Sequence, residues 1–209
     1  MITDIITVNT HSSVRIAGEK LIWVDPFGIE GNPADAEIIF ITHSHFDHLS
    51  PEDIKKVIRP DTVIAAPVTI KEDLEKAGFG NVKSVFLRPG DSTEILGIPA
   101  EAVPAYNISK PFHPKENGWL GYVLTVFGKR IYIAGDTDAT PEAKAVKCSV
   151  AMLPVGGKYT MDAREASWLA EAIGPEYAIP IHFGTVAGDK SAADSFGGRN
   201  FVTVRKLVF

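Results

Sequence analysis

Cysteine is almost absent from this sequence, since Cys148 is the only one in 209 residues. A single cysteine excludes an internal disulfide and any zinc site built from several cysteines, and it fits a reducing compartment. We therefore expect a cytoplasmic protein. Cys148 precedes an apolar run in "AVKCSVAML", a position typical of a small buried side chain.

Long apolar runs and an excess of positive charge are also missing. No run approaches the roughly 20 residues that a membrane helix needs, and the opening "MITDIITVNT" lacks the basic stretch of a signal peptide. The formal net charge is −5, which gives no general electrostatic footprint for nucleic acid. We expect neither a membrane nor a nucleic-acid partner. The expected partner is a small-molecule substrate, and it could be anionic if the protein has a local basic pocket. The oligomeric state is left open.

The composition, with 45% hydrophobic and 22% charged residues, is that of an ordinary globular protein. No repeat or linker divides the chain, so we predict one domain over residues 1–209. Short apolar runs rich in valine and isoleucine predict buried strands. They span residues 2–8, 14–16, 21–24, 38–41, 63–66, 85–87, 122–127, 130–134, 150–153 and 178–181.

Helix signals lie between these runs. Ser50 and Thr140 each precede a proline and an acidic residue, which is the pattern of a capped helix start. Asp162 opens the clearest helix, residues 162–173, with a capping box and an apolar stripe. A further helix is predicted from residue 67 to Gly78. Two strand-rich halves with interleaved helices favour a layered α/β or α+β sandwich.

The histidines stand in loops or just after predicted strands. There are six: His11, His43, His45, His48, His113 and His182. His43 and His45 are two apart, so they point the same way on an extended chain, while Asp47 and His48 follow as the chain turns toward Ser50. Imidazole and carboxylate together suit zinc, iron and similar ions. "HSHFDH" directly after an apolar run therefore predicts a metal site.

This HxHxDH motif after an apolar strand resembles the signature of the metallo-β-lactamase family. Further family positions follow in order: Asp25 in "LIWVDPF", Asp136 in "YIAGDTD" and His182 in "AIPIHFGT". The resemblance covers about residues 5–185. Within the family, "THSS" and "LPVGGKYTMDAREA" resemble the small metal-dependent hydrolases that include ascorbate-phosphate lactonase-like proteins. The resemblance implies an α+β fold, a four-layer αββα sandwich.

The resemblance also implies a ligand set for two divalent metal ions, most readily zinc, with manganese or iron as alternatives. The ligands would be His43, His45 and His113 at site one, Asp47, His48 and His182 at site two, and Asp136 between them. A hydroxide bound to such ions is a nucleophile at neutral pH. The implied activity is metal-dependent hydrolysis of a small ester, lactone or phosphodiester.

One position departs from the family pattern. Tyr106 and Asn107 stand where the third histidine of site one is expected, and His113 comes several residues later. Either the loop folds His113 back to the metal, or site one is incomplete and His113 lies at the pocket mouth. We predict ligation, since a set lacking this histidine would bind more weakly.

Two residues are predicted to take part in catalysis. Asp47 is expected to orient the attacking water and accept its proton. His11 would donate a proton or a hydrogen bond, with a purely structural role as the equal alternative. Asp25 is expected to fix the tautomer of a ligand histidine. The glycines of "PVGGKYT" are interpreted first as a tight turn. In the less favoured interpretation this loop binds an anion with the help of Lys158.

Two other classes of function compete with hydrolysis. Diiron redox relatives carry a glutamate where this chain has Phe46, and they add a flavin domain for which the chain has no room. A metal-binding scaffold without catalytic activity is the other alternative, and the nearly complete ligand set argues against it.

Overall fold

The computed structural model describes residues 1–207, which form two β-sheets. The first sheet has six strands, which lie side by side in chain order: β1 (Ile6–Thr10), β2 (Ser13–Ala17), β3 (Leu21–Val24), β4 (Ala36–Phe40), β5 (Ile58–Pro67) and β6 (Ser84–Leu87). The second has seven, again in sequential order: β7 (Ser92–Ile95), β8 (Ile98–Pro104), β9 (Leu120–Val126), β10 (Lys129–Ile133), β11 (Val150–Pro154), β12 (Tyr177–Ile181) and β13 (Val202–Thr203).

Each sheet changes from antiparallel to parallel pairing along its width. In the first, β1 to β3 pair antiparallel and β3 to β6 pair parallel. In the second, β7 to β10 pair antiparallel and β10 to β13 pair parallel. The carboxyl ends of parallel strands share one edge, which is where sites collect in sheets with such pairing.

Three of the four α-helices in residues 1–207 begin where the sequence predicts caps. The four are α1 (Pro51–Val57), α2 (Lys71–Leu74), α3 (Pro141–Ala145) and α4 (Ala163–Ile173). The side chains of Ser50, Thr140 and Asp162 each accept a hydrogen bond from a backbone N–H of the first turn. The predicted helix at residues 67–78 is irregular: α2 lies between a 3-10 turn, Val68–Ile70, and a π-turn, Glu75–Phe79.

The helices cover the outer faces of the two sheets. α1 and α2 bury Ile54 and Leu74 against the residues of β4 and β5 that face away from the second sheet. α4 packs on β11 through an apolar stripe that includes Leu169. Between the sheets, Phe40 and Tyr122 bring their ring centroids to 4.9 Å. The predicted α+β, four-layer αββα sandwich is confirmed.

Two predicted boundaries are wrong for local reasons. Residues 2–5 form a 3-10 turn rather than the start of β1, because Asp4 binds the terminal amine and its N–H bonds to Met1. β5 begins at Ile58, directly after α1, and not at residue 63. Strands β7, β8 and β13 are missing from the predicted runs, and β7 is polar and exposed along half its length. None of the helices in residues 1–207 has the length and apolar character of a bilayer-spanning segment.

Candidate metal centre

The predicted site residues meet at one edge of the sandwich because each follows a strand that ends there. Asp25 follows β3, and Asp136 and His182 come after β10 and β12. Three of the turns need left-handed backbone: φ is 52° at His11, 47° at Asp25 and 59° at His182. Residues other than glycine adopt this region uncommonly, although aspartate and histidine do so more often than most, and such conformations concentrate at functional sites.

Direct hydrogen bonds between the two sheets set their spacing at this edge. The backbone N–H of His182 donates to the carbonyl of His11 at 2.9 Å, and that of Leu120 donates to Thr42 at 3.1 Å. The hydroxyl of Tyr122 donates to the carbonyl of Ile41 at 2.7 Å. Side chains carried by separate sheets are therefore held at fixed separation.

His43, His45 and His113 form the first group of candidate ligands. Each offers a ring nitrogen, and the three nitrogens lie within 4.8 Å of one another. Nε2 of His43 is 3.0 Å from Nδ1 of His45. Nδ1 of His43 lies 3.0 Å from Oγ1 of Thr42. That hydroxyl already donates its proton to Asp25 at 2.6 Å, so it accepts a hydrogen bond from Nδ1–H of His43. Nε2 of His43 then carries no proton, and its lone pair can bind a metal.

The loop between β8 and β9 folds back and brings His113 to this group. Asn107 closes the loop: its N–H donates to the carbonyl of His113 at 2.8 Å, and its Oδ1 accepts from the backbone N–H and from Nδ1 of His113 at 3.1 and 3.0 Å. Nε2 of His113 then points to Oδ2 of Asp136 at 3.2 Å. Of the two loop conformations left open by the sequence, this is the one that completes the predicted set.

Asp47, His48 and His182 form the second group, and His11 joins them. The four side chains offer ligand atoms that all lie within 4.8 Å of one another. Nε2 of His11 donates to Oδ2 of Asp47 at 3.2 Å, and its ring centroid is 4.0 Å from that of His182. The sequence placed His11 near the site but not among the possible ligands; its position after the first strand was the only signal.

Asp136 lies between the two groups. Its Oδ2 is 3.0 Å from Nε2 of His182 and 3.2 Å from Nε2 of His113. Its Oδ1 is 3.4 Å from Nε2 of His48. The preceding Gly135, at φ 64°, permits this approach, because a Cβ there would stand 2.9 Å from the carbonyl oxygen of Leu120. A carboxylate that reaches both groups has the geometry of a bridging ligand.

Asp25 supports the second group from behind. Its Oδ2 accepts from Nδ1 of His48 at 2.7 Å, and its Oδ1 accepts from the backbone N–H of Thr42 at 2.8 Å. The contact fixes the tautomer of His48 and directs Nε2 toward Asp47 and Asp136, at 3.5 and 3.4 Å. Carboxylate–imidazole contacts of this kind orient metal ligands.

The fit of the site to a metal rests on its unpaired atoms. Among the described residues, Nε2 of His48, His113 and His182 and Oδ1 of Asp136 are buried without a hydrogen-bond partner. Leaving one such group unsatisfied costs about 1–3 kcal/mol. Four converging, unpaired donor atoms fit divalent cations, and a nitrogen and oxygen donor set suits zinc and other borderline ions.

The electrostatics favour neutral rings at His43 and His11 and ionised carboxyls at Asp47 and Asp136. Burial and the neighbouring His48 hold the pKa of His43 well below its usual range. Burial also lowers the pKa of His11 to about 4. Burial opposes ionisation of Asp47, but hydrogen bonds from His11 and His48 outweigh it and lower the pKa of that carboxyl. At His48 burial lowers the pKa, but the carboxylates of Asp136 and Asp25 outweigh burial and raise the pKa well above its usual range. Metal binding needs neutral imidazoles and ionised carboxylates, so at His48 a metal ion would take the place of a proton.

A cavity of about 270 Å³ opens above the candidate ligands. Side chains that are not ligands also line it: Phe46, Phe112, Tyr159 and Val186. Phe46 projects from the ligand loop with 67% of its surface exposed. Trp119 lies against the ligands instead, with its ring centroid 4.8 Å from those of His43 and His45.

Other polar residues of the chain lie elsewhere or are engaged. Lys110 donates to Asp138 at 2.8 Å. In the glycine-rich loop, the N–H of Gly157 and that of Lys158 donate within the loop, to Met161 and to Gly156. Cys148 is half-buried, and burial raises the pKa of its thiol to about 12.

Comparisons with known proteins agree with this geometry. The family model described as "Beta-lactamase superfamily domain" matches residues 5–182. A UPF0173 metal-dependent hydrolase of Methanoregula boonei is 33% identical over 90% of this chain and 84% of its own length. One of Thermococcus onnurineus is 31% identical over 84% of this chain and 82% of its own.

A solved structure leads to the same assignment. A candidate metal-dependent hydrolase of Parabacteroides distasonis superposes with a TM-score of 0.80 at 33% identity, covering 97% of this chain and 93% of the other. The expected metallo-β-lactamase fold is confirmed, and so is the expected enzyme class. The chain belongs to the beta-lactamase superfamily and, within it, to the UPF0173 family of metal-dependent hydrolases.

Proposed function

We propose that this enzyme is a cytoplasmic hydrolase that cleaves the ester, lactone or phosphodiester bond of a small molecule with the help of two divalent metal ions. Zinc is the first choice, with manganese and iron as alternatives. One observation carries the proposal. Two groups of candidate ligands, His43 with His45 and His113, and Asp47 with His48 and His182, stand on either side of Asp136.

The chain's contribution begins with holding the ions. The first group and Asp136 would hold one, and the second group and Asp136 the other. Bound ions of this kind lower the pKa of water to about 7 and polarise the oxygen of the scissile bond. Hydrolysis adds the oxygen of water to the carbonyl carbon or phosphorus, breaks the bond to the leaving oxygen, and transfers one proton to that oxygen.

Asp47 is the proposed proton acceptor. It lines the cavity, and its lowered pKa keeps it ionised at neutral pH. His11 is fully buried behind it, with Nε2 3.2 Å from Oδ2 of Asp47. We assign His11 the role of holding Asp47 in place and sharing its proton, since a buried ring does not reach a substrate in the cavity.

The test combines metal analysis with a screen of substrates. Protein stripped with chelator and reloaded with zinc, manganese or iron(II) should bind up to two ions per chain and hydrolyse a 4-nitrophenyl ester, a γ-lactone or bis(4-nitrophenyl) phosphate. Asp136→Ala should lose bound metal and at least about 100-fold in rate, while the exposed Asp61→Ala keeps both.

Two results would contradict the proposal. One is wild-type protein that binds no divalent ion. The other is Asp136→Ala protein that retains both ions and the wild-type rate.

A further inference from the structure

A cavity lies above the candidate ligands. The side chains that line it and are not themselves candidate ligands are all aromatic or aliphatic. We infer that the substrate carries a compact, uncharged apolar group beside its scissile carboxylic ester or lactone, bound between Phe46 on one side and Phe112, Tyr159 and Val186 on the other. This inference rests on the proposed hydrolytic function and narrows its substrate class.

The aromatic side chains sit where a substrate group would lie next to the reacting bond. Phe46 stands between His45 and Asp47 in the chain, so its ring and the ligands share one loop. Its nearest aromatic partner, Phe27, is edge-on with centroids 6.1 Å apart, and 67% of Phe46 stays exposed. An exposed aromatic ring beside a metal centre gains contact area when an apolar group covers it.

The opposite wall is built from loops of the second sheet. Phe112 and Tyr159 pack edge to face with centroids 4.8 Å apart, and Phe112 is 38% exposed. The two walls therefore come from different sheets. The cavity's volume of about 270 Å³ is at the small end of ligand pockets, which favours a compact group over a long chain.

The charges around the cavity favour an uncharged substrate group over an anionic one. No lysine or arginine is among the described residues that line the cavity. Nearby, Lys110 pairs with Asp138 at 2.8 Å and lies 3.9 Å from Glu165, and the ammonium of Lys158 is 4.9 Å above the ring of Tyr159. An anionic group remote from the scissile bond would lose water without gaining a partner, which is costly.

The test compares two esters that differ at the end of the acyl chain: 4-nitrophenyl butyrate and 4-nitrophenyl 4-sulfobutyrate, which carries a charged sulfonate in place of a hydrogen. The sulfonate is chosen because it is a weak metal ligand. On zinc-loaded enzyme, kcat/KM should be at least about tenfold higher for the uncharged ester. Phe46→Ser and Phe112→Ser should raise KM for the butyrate with little change in kcat and unchanged zinc content.

Two control variants leave the cavity intact. Phe127→Ser removes a phenylalanine from the turn between β9 and β10 whose exposure, 57%, lies between those of Phe46 and Phe112, and it should behave as wild type. Lys158→Ala should leave the rates on both esters unchanged. Equal or faster cleavage of the sulfonate ester, or a selective loss of its cleavage in Lys158→Ala, overturns the inference.

A binding measurement separates this inference from the hydrolytic proposal. Butyranilide and 4-sulfobutyranilide, which carries the sulfonate at the end of the acyl chain, are titrated into the zinc-loaded protein, and binding is measured by calorimetry. Tighter binding of butyranilide, weakened by Phe46→Ser, supports the apolar site even if no ester is cleaved, in which case the hydrolytic proposal alone fails. Tighter binding of the sulfonate, or binding of butyranilide that Phe46→Ser leaves unchanged, overturns the apolar site even if esters are cleaved.

Discussion

Asp25 illustrates how a single residue outside the ligand set can control the metal centre. It is 1% exposed and accepts hydrogen bonds from His48, from the Thr42 hydroxyl and from the Thr42 N–H. Through Thr42 it also fixes the tautomer of His43, so it aligns one ligand in each group. Its φ of 47° is a conformation that aspartate and asparagine tolerate better than most residues.

Asp25→Asn should therefore keep the backbone and weaken metal binding. The amide provides one acceptor in place of two and no negative charge opposite His48, so we expect metal affinity to fall about 10–100-fold. Competition for zinc against a chromophoric chelator measures this directly. Asp61→Asn, at an exposed position, is the matched control. An unchanged zinc affinity in Asp25→Asn would mean that His48 needs no such support.

At the scale of elements, helix α1 holds the loop that carries Phe27. Asp53, in the first turn of α1, accepts hydrogen bonds from the N–H groups of Gly28 and Ile29 at 2.9 and 3.0 Å, and from Lys56 at 2.9 Å. Burial opposes ionisation of Asp53, but these bonds outweigh it and lower the pKa of the carboxyl. One capping turn thus anchors the loop after Asp25.

Asp53→Asn should destabilise the protein in a pH-dependent way. A carboxyl whose pKa is lower in the folded state contributes stability above its unfolded pKa of about 3.9, and this contribution is lost as the pH falls through the folded pKa. The free energy of unfolding should drop by about 1–3 kcal/mol at pH 7, and the difference from wild type should shrink below about pH 4.

Urea titrations of metal-free wild type and variant at pH 7 and pH 3 measure the two differences. Glu52→Gln, at the exposed neighbouring position of α1, should show little effect at either pH. A difference between wild type and Asp53→Asn that stays constant across this range would show that the charge on Asp53 contributes nothing.

At the scale of the whole molecule, the candidate metal centre takes its residues from both sheets. Asp25 and the histidine loop come from the first sheet, while His113, Asp136 and His182 come from the second. Their unpaired buried atoms are a cost that the metal-free fold carries. Ions that bind ligands from both sheets stabilise the assembled sandwich and have no comparable site in the unfolded chain.

Zinc should consequently raise the melting temperature of metal-free protein. At a free concentration 100 times the dissociation constant, one site adds about 2.7 kcal/mol. Scanning calorimetry with and without zinc measures the shift, and Asp136→Ala should abolish most of it. A wild-type melting temperature that is independent of zinc would contradict a site that bridges the sheets.

Local patterns in the sequence were sufficient for the capped helix starts, most strands and the metal-binding motif. Ser50 and Asp162 cap helices through contacts three residues away, and "HSHFDH" follows a buried strand as predicted. These features depend on neighbours along the chain, so their physics can be read from the order of residues. The polar strand β7 was not predicted because it is a strand through its pairing with β8 and not through its own composition.

The sequence by itself therefore determined the donor types and the order of the ligands, because these follow from side-chain chemistry and strand ends. Only the tertiary structure decided which donors meet. His113 reaches the site because Asn107 closes a loop, and His11 joins it because its carbonyl accepts a hydrogen bond from His182 across the sheets. The cavity has apolar walls because Phe46 from the first sheet and Phe112 and Tyr159 from the second all line it. Each depends on contacts between distant segments, whose distances the order of residues does not specify.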